Sequence, residues 1–303
     1  MNPIVLHEVG PRDGLQMEKQ IVSTAKKESW VRKAISAGMD IVQVGSFVHP
    51  DKVPPMADTD RLFHRLQGGA PHTAMLSALV LNEKGLERGL ACGVELFCMG
   101  ASASETHSLA NTGLGSEEAV TRILATARKA ADAGRRVQLS VQSAFGCGFE
   151  GRISEERVLE MVRAYVGAGF RSISLADTAG HARPDQVERL YGAVFGIDPT
   201  IEAACHFHNT YGLGMANLYA ALRAGVTSFE TSFAGLGGCP FTRVAAGNVA
   251  TEDFVHALHL DGKRLDVNLD RLIELAREVA GHFGRDLPGF VYKTGPMPVH
   301  VPA

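Results

Sequence analysis

Eight short β-prone runs alternate with helix-like segments along the 303 residues, and this alternation limits the folds that the chain can adopt. The runs lie at residues 5–8, 41–45, 74–80, 95–99, 137–142, 172–176, 202–206 and 228–232. Strands joined through helices pair in parallel with right-handed crossovers, and eight such strands favour a closed barrel over an open sheet. We therefore predict an α/β protein with a (β/α)8 TIM barrel.

Helical patterns fill the intervals between these runs. Examples lie at residues 23–37, 116–133, 155–168, 184–195 and 214–224. Ala-Gly pairs occur at 37–38, 133–134, 168–169 and 224–225, where a glycine that terminates a helix is expected before the next strand. We interpret residues 1–303 as a single catalytic domain. Residues from about 267 to 303, including a helix at 269–283, form a C-terminal extension that acts as a helical cap.

The composition is that of a soluble protein with a large core. Apolar residues make up 45% and charged residues 21% of the chain, and the net charge is -3. This charge gives no electrostatic reason to expect nucleic acid or an anionic membrane surface as a partner. Five scattered cysteines without CxxC spacing indicate a reducing compartment. No apolar run reaches membrane-spanning length, and the first strand begins almost at Met1, so we expect a cytoplasmic protein.

His206-Phe207-His208, at the end of the seventh run, is the strongest sign of a functional site. Side chains two residues apart on a strand point to the same face, so the two imidazoles converge while Phe207 faces the other side. Such a pair of nitrogen donors suits a divalent metal. An HxH triplet alone is weak evidence, and His208 could equally be a hydrogen-bonded core histidine.

The barrel prediction brings further polar residues to the same rim, because functional groups in this fold collect at the carboxyl ends of the strands. These residues are Arg12 and Asp13 after strand one, Gln43 on strand two, Asp177 and Thr178 after strand six, and Cys239 and Asn248 after strand eight. Gln16 and Ser46, from the segments after strands one and two, join Arg12 and Thr178 as predicted substrate contacts.

Asp13, His206, His208 and Asn248 form a mixed oxygen and nitrogen ligand set. Such a set leaves two positions of an octahedral ion for water or substrate, and it suits Mg²⁺ or Mn²⁺ better than structural zinc. The alternative for Asp13 alone is a turn or helix-capping residue. The four residues together indicate a metal-dependent enzyme.

Three other residues have both a catalytic and a structural interpretation. Arg12 could stabilise an enolate or carboxylate, or it could be an ordinary charge pair with Asp13. Cys239, in a glycine-rich segment, could transfer a proton or be an inert thiol on a turn. Asp177 could orient a ligand or accept a proton, or it could cap the next helix.

The chain resembles the 3-hydroxy-3-methylglutaryl-CoA lyase family over nearly its whole length. The resemblance rests on EVGPRDGLQ at 8–16, SFVHPDKVPPMAD at 46–58, SASETHSLAN at 102–111, LADTAG at 175–180, HFHNTYG at 206–212 and AGLGGCPFTRVAAGNVATED at 234–253. It implies a metal-dependent TIM-barrel lyase that cleaves a 3-hydroxyacyl-CoA by a retro-Claisen reaction, giving acetyl-CoA and a keto acid. Coenzyme A then enters as part of the substrate.

The resemblance also assigns roles at matching positions. Asp13, His206, His208 and Asn248 match the family's metal ligands. Arg12 matches the residue that stabilises the thioester enolate, and Cys239 matches the cysteine of the mobile catalytic loop, which can supply or relay a proton. A homodimer is the expected assembly.

Some positions depart from the family pattern. Gln43 stands where the family has an acidic residue, so the shape is kept while the charge and any basicity are lost. His49-Pro50-Asp51-Lys52 replaces the family's Ser-Pro-Lys-Trp, and Asn209 stands where an acid is common. These changes lead us to expect poor turnover of 3-hydroxy-3-methylglutaryl-CoA and better turnover of a related branched thioester, such as a citramalyl-type or longer-chain one.

Two alternatives to the lyase stay open at this point. One is a condensing acyltransferase on the same barrel, although the Gly-Gly-Cys-Pro segment at 237–240 and the absence of a large regulatory C-terminal domain count against it. The other is a catalytically weak protein that binds metal or coenzyme A, which the exchange of acid for amide at Gln43 favours.

Overall fold

The computed structural model describes residues 3–69, 72–238 and 247–298. Its eight parallel strands close into a barrel in chain order, and the last strand pairs with the first. The strands are β1 (Val5–Glu8), β2 (Ile41–Ser46), β3 (Met75–Leu79), β4 (Leu96–Ser102), β5 (Arg136–Gln142), β6 (Ser172–Asp177), β7 (Glu202–Phe207) and β8 (Ser228–Thr231). The predicted (β/α)8 barrel is therefore confirmed.

Strand β4 differs most from the sequence prediction, because it continues three residues past Met99 to Ser102. Gly100, Ala101 and Ser102 have weak intrinsic preference for strands. They are nonetheless extended because every residue of β4 pairs with a residue of β5. Strand β7 ends at Phe207, one residue before His208, and His208 forms an isolated bridge with Asn248.

Helices follow the strands and cover the outside of the barrel. They are α1 (Thr24–Ala37), α2 (Thr59–Gln67), α3 (Glu83–Ala91), α4 (Glu105–Thr112), α5 (Ser116–Asp132), α6 (Glu155–Gly167), α7 (Pro184–Ile197), α8 (Gly214–Ala224), α9 (Thr251–Leu260), α10 (Leu269–Phe283) and α11 (Val291–Thr294). Gly38 and Gly225 end α1 and α8 in the left-handed conformation, with φ of 103° and 99°. No helix in the described part of the chain is long and apolar enough to cross a membrane.

The two faces of the barrel strands differ in polarity. Residues that point outward, such as Leu139, Leu175 and Phe229, are fully buried against the helices. Residues that line the interior are largely polar or small, whereas barrel interiors of this fold are usually filled by Val, Ile and Leu. The interior set includes Gln43, Cys98, Gln138, Ser140, Ser174, His206 and Glu230. The hydrophobic core therefore lies mainly between sheet and helices, and the interior of the barrel is available for chemistry.

Helix α10 holds the C-terminal extension against the start of the barrel. Oε1 of Glu278 accepts hydrogen bonds from the Trp30 indole at 3.1 Å and from the Lys26 ammonium at 2.7 Å, which joins α10 to α1. Further along, the backbone N–H of Gly289 donates to the carbonyl of Ala234 at 2.9 Å. The extension thus packs against the segment that follows β8.

Close packing of β4 on β5 predicts that Gly100→Ala destabilises the protein. A methyl group at Gly100 would lie 2.0 Å from Oγ and 2.6 Å from the carbonyl oxygen of Ser140, and the backbone atom cannot move aside. Overpacking of this kind costs about 1–3 kcal/mol. The free energy of unfolding, measured by urea titration, should fall by that amount.

Gly192→Ala on the exposed face of α7 is the matched control. No described atom lies within 4 Å of a methyl group built there. Alanine is favoured over glycine in a helix by roughly 0.5–1 kcal/mol, so this variant should be slightly more stable than wild type. A Gly100→Ala protein as stable as the control would contradict the packing described for β4.

Candidate metal centre and active site

Arg12 and Asp13 lie in a tight π-helical turn, Gly10–Gly14, directly after β1. The backbone N–H groups of Arg12 and Asp13 both donate to the carbonyl of Val9, at 3.0 and 2.7 Å. A side chain at Gly10 would collide with the Glu8 carboxylate at 2.6 Å, so the close turn requires glycine there. The turn directs both charged side chains into the mouth of the barrel.

The two histidines converge as the strand geometry predicts. Nε2 of His206 and Nε2 of His208 are 3.0 Å apart, and their ring centroids are 5.0 Å apart. Phe207 is turned to the opposite side, where its ring packs 5.5 Å from that of Phe145. Two nitrogen lone pairs at this separation repel each other unless a proton or a cation lies between them, so the pair is suited to a shared cation.

The distances in this group fit a single octahedral ion. Ligands on adjacent corners of an octahedron with bonds of about 2.1 Å lie about 3.0 Å apart, which matches the separation of the two imidazole nitrogens. Oδ2 of Asp13 lies 3.5 Å from Nε2 of His208 and 3.9 Å from Nε2 of His206. One ligand atom from each of the three residues can be chosen so that all lie within 4.8 Å of one another. Asp13, His206 and His208 therefore form a possible metal-binding triad.

Asn248 completes the predicted ligand set. Its amide Nδ2 donates to Oδ2 of Asp13 at 2.8 Å and to the carbonyl of Leu236 at 3.1 Å. Its Oδ1 is buried and has no hydrogen-bond partner among the described residues. A buried amide oxygen without a partner is energetically costly, and a metal ion would satisfy it. Gly237, at φ 126°, allows this close approach, because a methyl group there would lie 2.6 Å from Nδ2 of Asn248.

Gln43 and Gln16 hold the charged pair in place. The Oε1 of Gln43 accepts a hydrogen bond from Nε of Arg12, and Nη1 of Arg12 is paired with Oδ1 of Asp13. Nε2 of Gln16 donates to the same Asp13 oxygen at 3.0 Å. Gln43 thus contacts Arg12 through a neutral amide, where a carboxylate would add charge.

The electrostatics of the triad suit a metal site. Burial alone would raise the pKa of the Asp13 carboxyl, but Arg12 and the two histidines outweigh it and hold that pKa well below its usual value. Burial lowers the pKa of His208. Burial also acts to lower the pKa of His206, but Glu230 and Asp13 outweigh it and raise that pKa. Asp13 is therefore ionised and His208 neutral near pH 7, the states in which these side chains bind metals, whereas His206 must release any proton it holds before it binds one.

The triad opens into a cavity of about 460 Å³ that reaches from the rim into the barrel. Arg12, Gln16, Ser46 and Thr178 all line it, so the four predicted substrate contacts share one space with the triad.

Asp177 lies apart from these four residues, at the end of β6, where its carboxylate contacts the following turn. Its Oδ1 and Oδ2 accept the backbone N–H groups of His181 at 2.8 Å and Ala182 at 3.1 Å. Burial raises the pKa of this carboxyl to about 7, against the effect of those hydrogen bonds. The side chain organises the turn after β6 and does not cap α7, whose N-cap is Arg183, and its catalytic role stays a prediction. Cys239 lies outside the described residues.

Glu230 on β8 is a site residue that sequence reasoning did not identify. Its Oε2 lies 3.1 Å from Nδ1 of His206, and its carboxylate lines the same cavity. Burial acts to raise the pKa of Glu230, but His206, His7 and Arg12 outweigh it and lower that pKa. A carboxylate at Nδ1 fixes the imidazole so that Nε2 faces the metal position. The only signal in the sequence was an acid within the short strand Ser-Phe-Glu-Thr, because its position level with His206 follows from the register of β7 with β8.

Glu230→Ala should weaken metal binding, because His206 loses the acceptor that orients its ring. Loss of such a partner typically reduces metal affinity by about 10- to 100-fold. Calorimetric titration of the metal-free protein with Mn²⁺ measures this affinity. Glu230→Gln, which keeps an acceptor oxygen near Nδ1, should recover part of the loss. Unchanged affinity in Glu230→Ala would show that the ring is held by its packing alone.

Known proteins are similar to this chain in sequence and in fold. Residues 3–279 match the HMGL-like family model. Hydroxymethylglutaryl-CoA lyase YngG of Bacillus subtilis (strain 168) is 34% identical over 285 residues, which cover 94% of this chain and 95% of that protein. (R)-citramalyl-CoA lyase of Chloroflexus aurantiacus is 33% identical over 305 residues, covering 98% and 96%.

A solved structure agrees with these matches. The structure of an HMG-CoA lyase from Acinetobacter baumannii in complex with coenzyme A and 3-methylmalate superimposes with a TM-score of 0.91 at 35% identity, covering 98% of each chain. On this evidence the chain belongs to the HMGL-like family.

Proposed function

We propose that this protein is a carbon–carbon lyase that cleaves a branched 3-hydroxyacyl-CoA by a metal-dependent retro-Claisen reaction, releasing acetyl-CoA and a keto acid. The observation that carries the proposal is the convergence of Asp13, His206 and His208 beside Arg12 in one cavity. The similarity to lyases that act on hydroxymethylglutaryl-CoA and citramalyl-CoA supports the substrate class. These relatives are lyases, and no feature of the described site favours a condensing acyltransferase over a lyase.

Asp13, His206, His208 and Asn248 would hold the divalent ion, Mg²⁺ or Mn²⁺. When bound, the ion supplies a Lewis acid that lowers the pKa of the C3 hydroxyl of the substrate. The buried Asp13 carboxylate and the Oδ1 of Asn248 provide the oxygen ligands that such hard cations prefer.

Arg12 stabilises the charge that develops on the thioester oxygen. Its Nε and Nη1 are bonded to Gln43 and Asp13, so Nη2 is the nitrogen left to meet a substrate oxygen. Because both partners are buried, the guanidinium is fixed before substrate arrives, and such preorganised donors are typically worth about 10²–10³-fold in rate. A base takes the proton of the C3 hydroxyl and C3 becomes the carbonyl carbon of the keto acid, while breaking the C2–C3 bond leaves the electron pair on the thioester enolate that Arg12 holds.

The remaining predicted residues have supporting roles in the proposal. Gln16, Ser46 and Thr178 line the cavity and contact the substrate, while coenzyme A extends from the open mouth. Asp177 assists by orienting the loop that carries Thr178. Cys239 supplies the proton that converts the enolate to acetyl-CoA, as the family resemblance implies. A homodimer in the cytoplasm remains the expected assembly and location.

Metal removal tests the proposal directly. Acetyl-CoA release should stop when the purified protein is treated with a chelator, and it should return on addition of Mg²⁺ or Mn²⁺. Both hydroxymethylglutaryl-CoA and citramalyl-CoA should be assayed, with product thioester measured by chromatography. Full activity in the presence of a chelator at concentrations that strip the metal would contradict the metal-dependent mechanism.

His206→Ala should lose metal affinity far more than stability, because the side chain lines the cavity and does not belong to the apolar core between the strands and the helices. Binding of Mn²⁺ and the thermal unfolding midpoint are the two readouts. His64→Ala, on the exposed side of α2, is the matched control and should change neither. A large fall in the midpoint with retained Mn²⁺ binding would make His206 a structural residue.

Gln43→Glu should raise kcat/KM for 3-hydroxy-3-methylglutaryl-CoA. It places a charge beside Arg12 with almost no change in volume, and a charged hydrogen bond exceeds a neutral one by about 1 kcal/mol, or about fivefold in rate. Gln20→Glu, an exposed position, controls for net charge. If the wild type already cleaves this substrate at an ordinary enzyme rate and Gln43→Glu slows it, the charge is not needed here.

A further inference from the structure

Glu8, the last residue of β1, is a fully buried acid that the proposed mechanism does not use. Successive side chains of a strand point to opposite faces. His7 faces the interior of the barrel, where its Nδ1 lies 4.0 Å from Oε1 of Glu230. Glu8 therefore points the other way, into the layer between strands and helices where the apolar Leu6 is also buried. A polar group in such a layer is costly unless it is hydrogen-bonded.

Three separate parts of the chain donate hydrogen bonds to the Glu8 carboxylate. Its Oε1 accepts the backbone N–H of Gly10, after β1, at 2.7 Å and that of Phe233, after β8, at 3.0 Å. Its Oε2 accepts the hydroxyl of Thr251, at the start of α9, at 2.7 Å. One buried side chain thus joins three segments that are distant in sequence.

The first of these donors belongs to the segment that carries Asp13. Gly10 is the first residue of the π-helical turn Gly10–Gly14. A methyl group at Gly10 would lie 2.6 Å from Oε1 of Glu8 and 2.8 Å from the ring of Phe233. The turn therefore packs directly on the carboxylate and on the segment that follows β8.

The other two donors belong to the backbone around Asn248. The N–H of Ser232 donates to the carbonyl of Val249 at 3.0 Å, and the N–H of Thr251 donates to the carbonyl of Ser232 at 3.1 Å. The residues that follow Asn248 are thus aligned on the end of β8. Glu8 holds both sides of this alignment, because its donors are the residue after Ser232 and Thr251 itself.

These hydrogen bonds do not require Glu8 to be charged. Burial raises the pKa of its carboxyl to about 7, against the effect of the three hydrogen bonds. With a proton on Oε2, the group can donate to the hydroxyl of Thr251 while Oε1 still accepts both N–H groups. The position of the side chain, in either protonation state, is what the three segments share.

We propose that Glu8 is a positioning residue for the metal centre, which sets the spacing of the two oxygen ligands, Asp13 and Asn248, without touching the ion or the substrate. The donors to Glu8 lie outside β7, at whose end the two histidine ligands are placed, so the nitrogen ligands keep their positions without it. This inference rests on the proposed function, since it concerns the ligand set proposed there.

Glu8→Met tests the proposal, because it removes both acceptor oxygens from a side chain of similar length. Metal-free protein is titrated calorimetrically with Mn²⁺ and with Ni²⁺. Oxygen ligands suit Mn²⁺, whereas imidazole suits Ni²⁺. Loss of a group that orients a ligand typically costs about 10- to 100-fold in affinity, so the Kd for Mn²⁺ should rise by about 10-fold or more. The Kd for Ni²⁺ should rise less, so the ratio of the two Kd values increases.

Two further variants separate positioning from a general loss of stability. Glu8→Gln keeps an oxygen that accepts both N–H groups, and its amide can donate to the hydroxyl of Thr251, so its Kd ratio should stay near that of wild type. Thr251→Val removes only the donor to Oε2 and should raise the ratio by a smaller factor than Glu8→Met. This milder variant also provides the test if Glu8→Met does not fold.

Tyr191→Phe on α7 is the matched control for a lost buried hydrogen bond. Its hydroxyl donates to the carbonyl of Ala204 at 2.7 Å. This variant should lower the thermal unfolding midpoint and leave the Kd ratio unchanged. Glu230→Ala, which removes support from a nitrogen ligand, should weaken Ni²⁺ binding at least as much as Mn²⁺ binding.

The outcomes separate this inference from the proposed function. A wild type that binds metal but cleaves neither thioester refutes the proposed function, and the role of Glu8 is still decided by the Kd ratio. A wild type that binds neither ion refutes both. An unchanged ratio in Thr251→Val and in folded Glu8→Met, or a shift in Glu8→Gln as large as that in Glu8→Met, overturns the role of Glu8 alone.

Discussion

The buried carboxylate of Asp13 is the interaction on which the site depends. A charge at this depth is stable only when it is paired and hydrogen-bonded. Arg12 and Gln16 satisfy Oδ1, while Asn248 and the imidazole of His208 face Oδ2. The segments that carry these partners follow β1, β7 and β8. Asp13 therefore joins three distant parts of the chain at one point and fixes the geometry in which a divalent ion can bind.

The division of the strands into an apolar outer face and a polar inner face makes this site compatible with a stable fold. The helices pack on the outer face, where side chains such as Val141 and Phe207 are fully buried. Most of the apolar packing thus lies outside the barrel, and the interior can hold Glu230 beside His206. The residues that stabilise the fold lie on the outer face of the strands, and those of the candidate site lie on the inner face.

The sequence predicted the barrel and which polar residues meet at its rim, because both follow from local patterns. Period-two strands and glycine-terminated helices are local signals, and the HxH triplet converges through strand geometry alone. The sequence could not show that Glu230 contacts His206, since that contact depends on the register of β7 with β8. Nor could it show whether Asp177 caps a turn or faces a ligand, which depends on where the N–H groups of His181 and Ala182 lie. Short helices such as α3 and α4 are harder to identify from the sequence, because two turns carry too little periodicity.

The most direct test of the central claim is the position of a bound ion. Crystals of the metal-free protein soaked in Mn²⁺ would give an anomalous difference peak at the ion. The account predicts one peak in the barrel mouth, about 2.0–2.3 Å from Asp13, from Nε2 of both His206 and His208, and from Asn248. No peak in the mouth at saturating Mn²⁺, or the two histidine rings turned away from a bound ion, would contradict it.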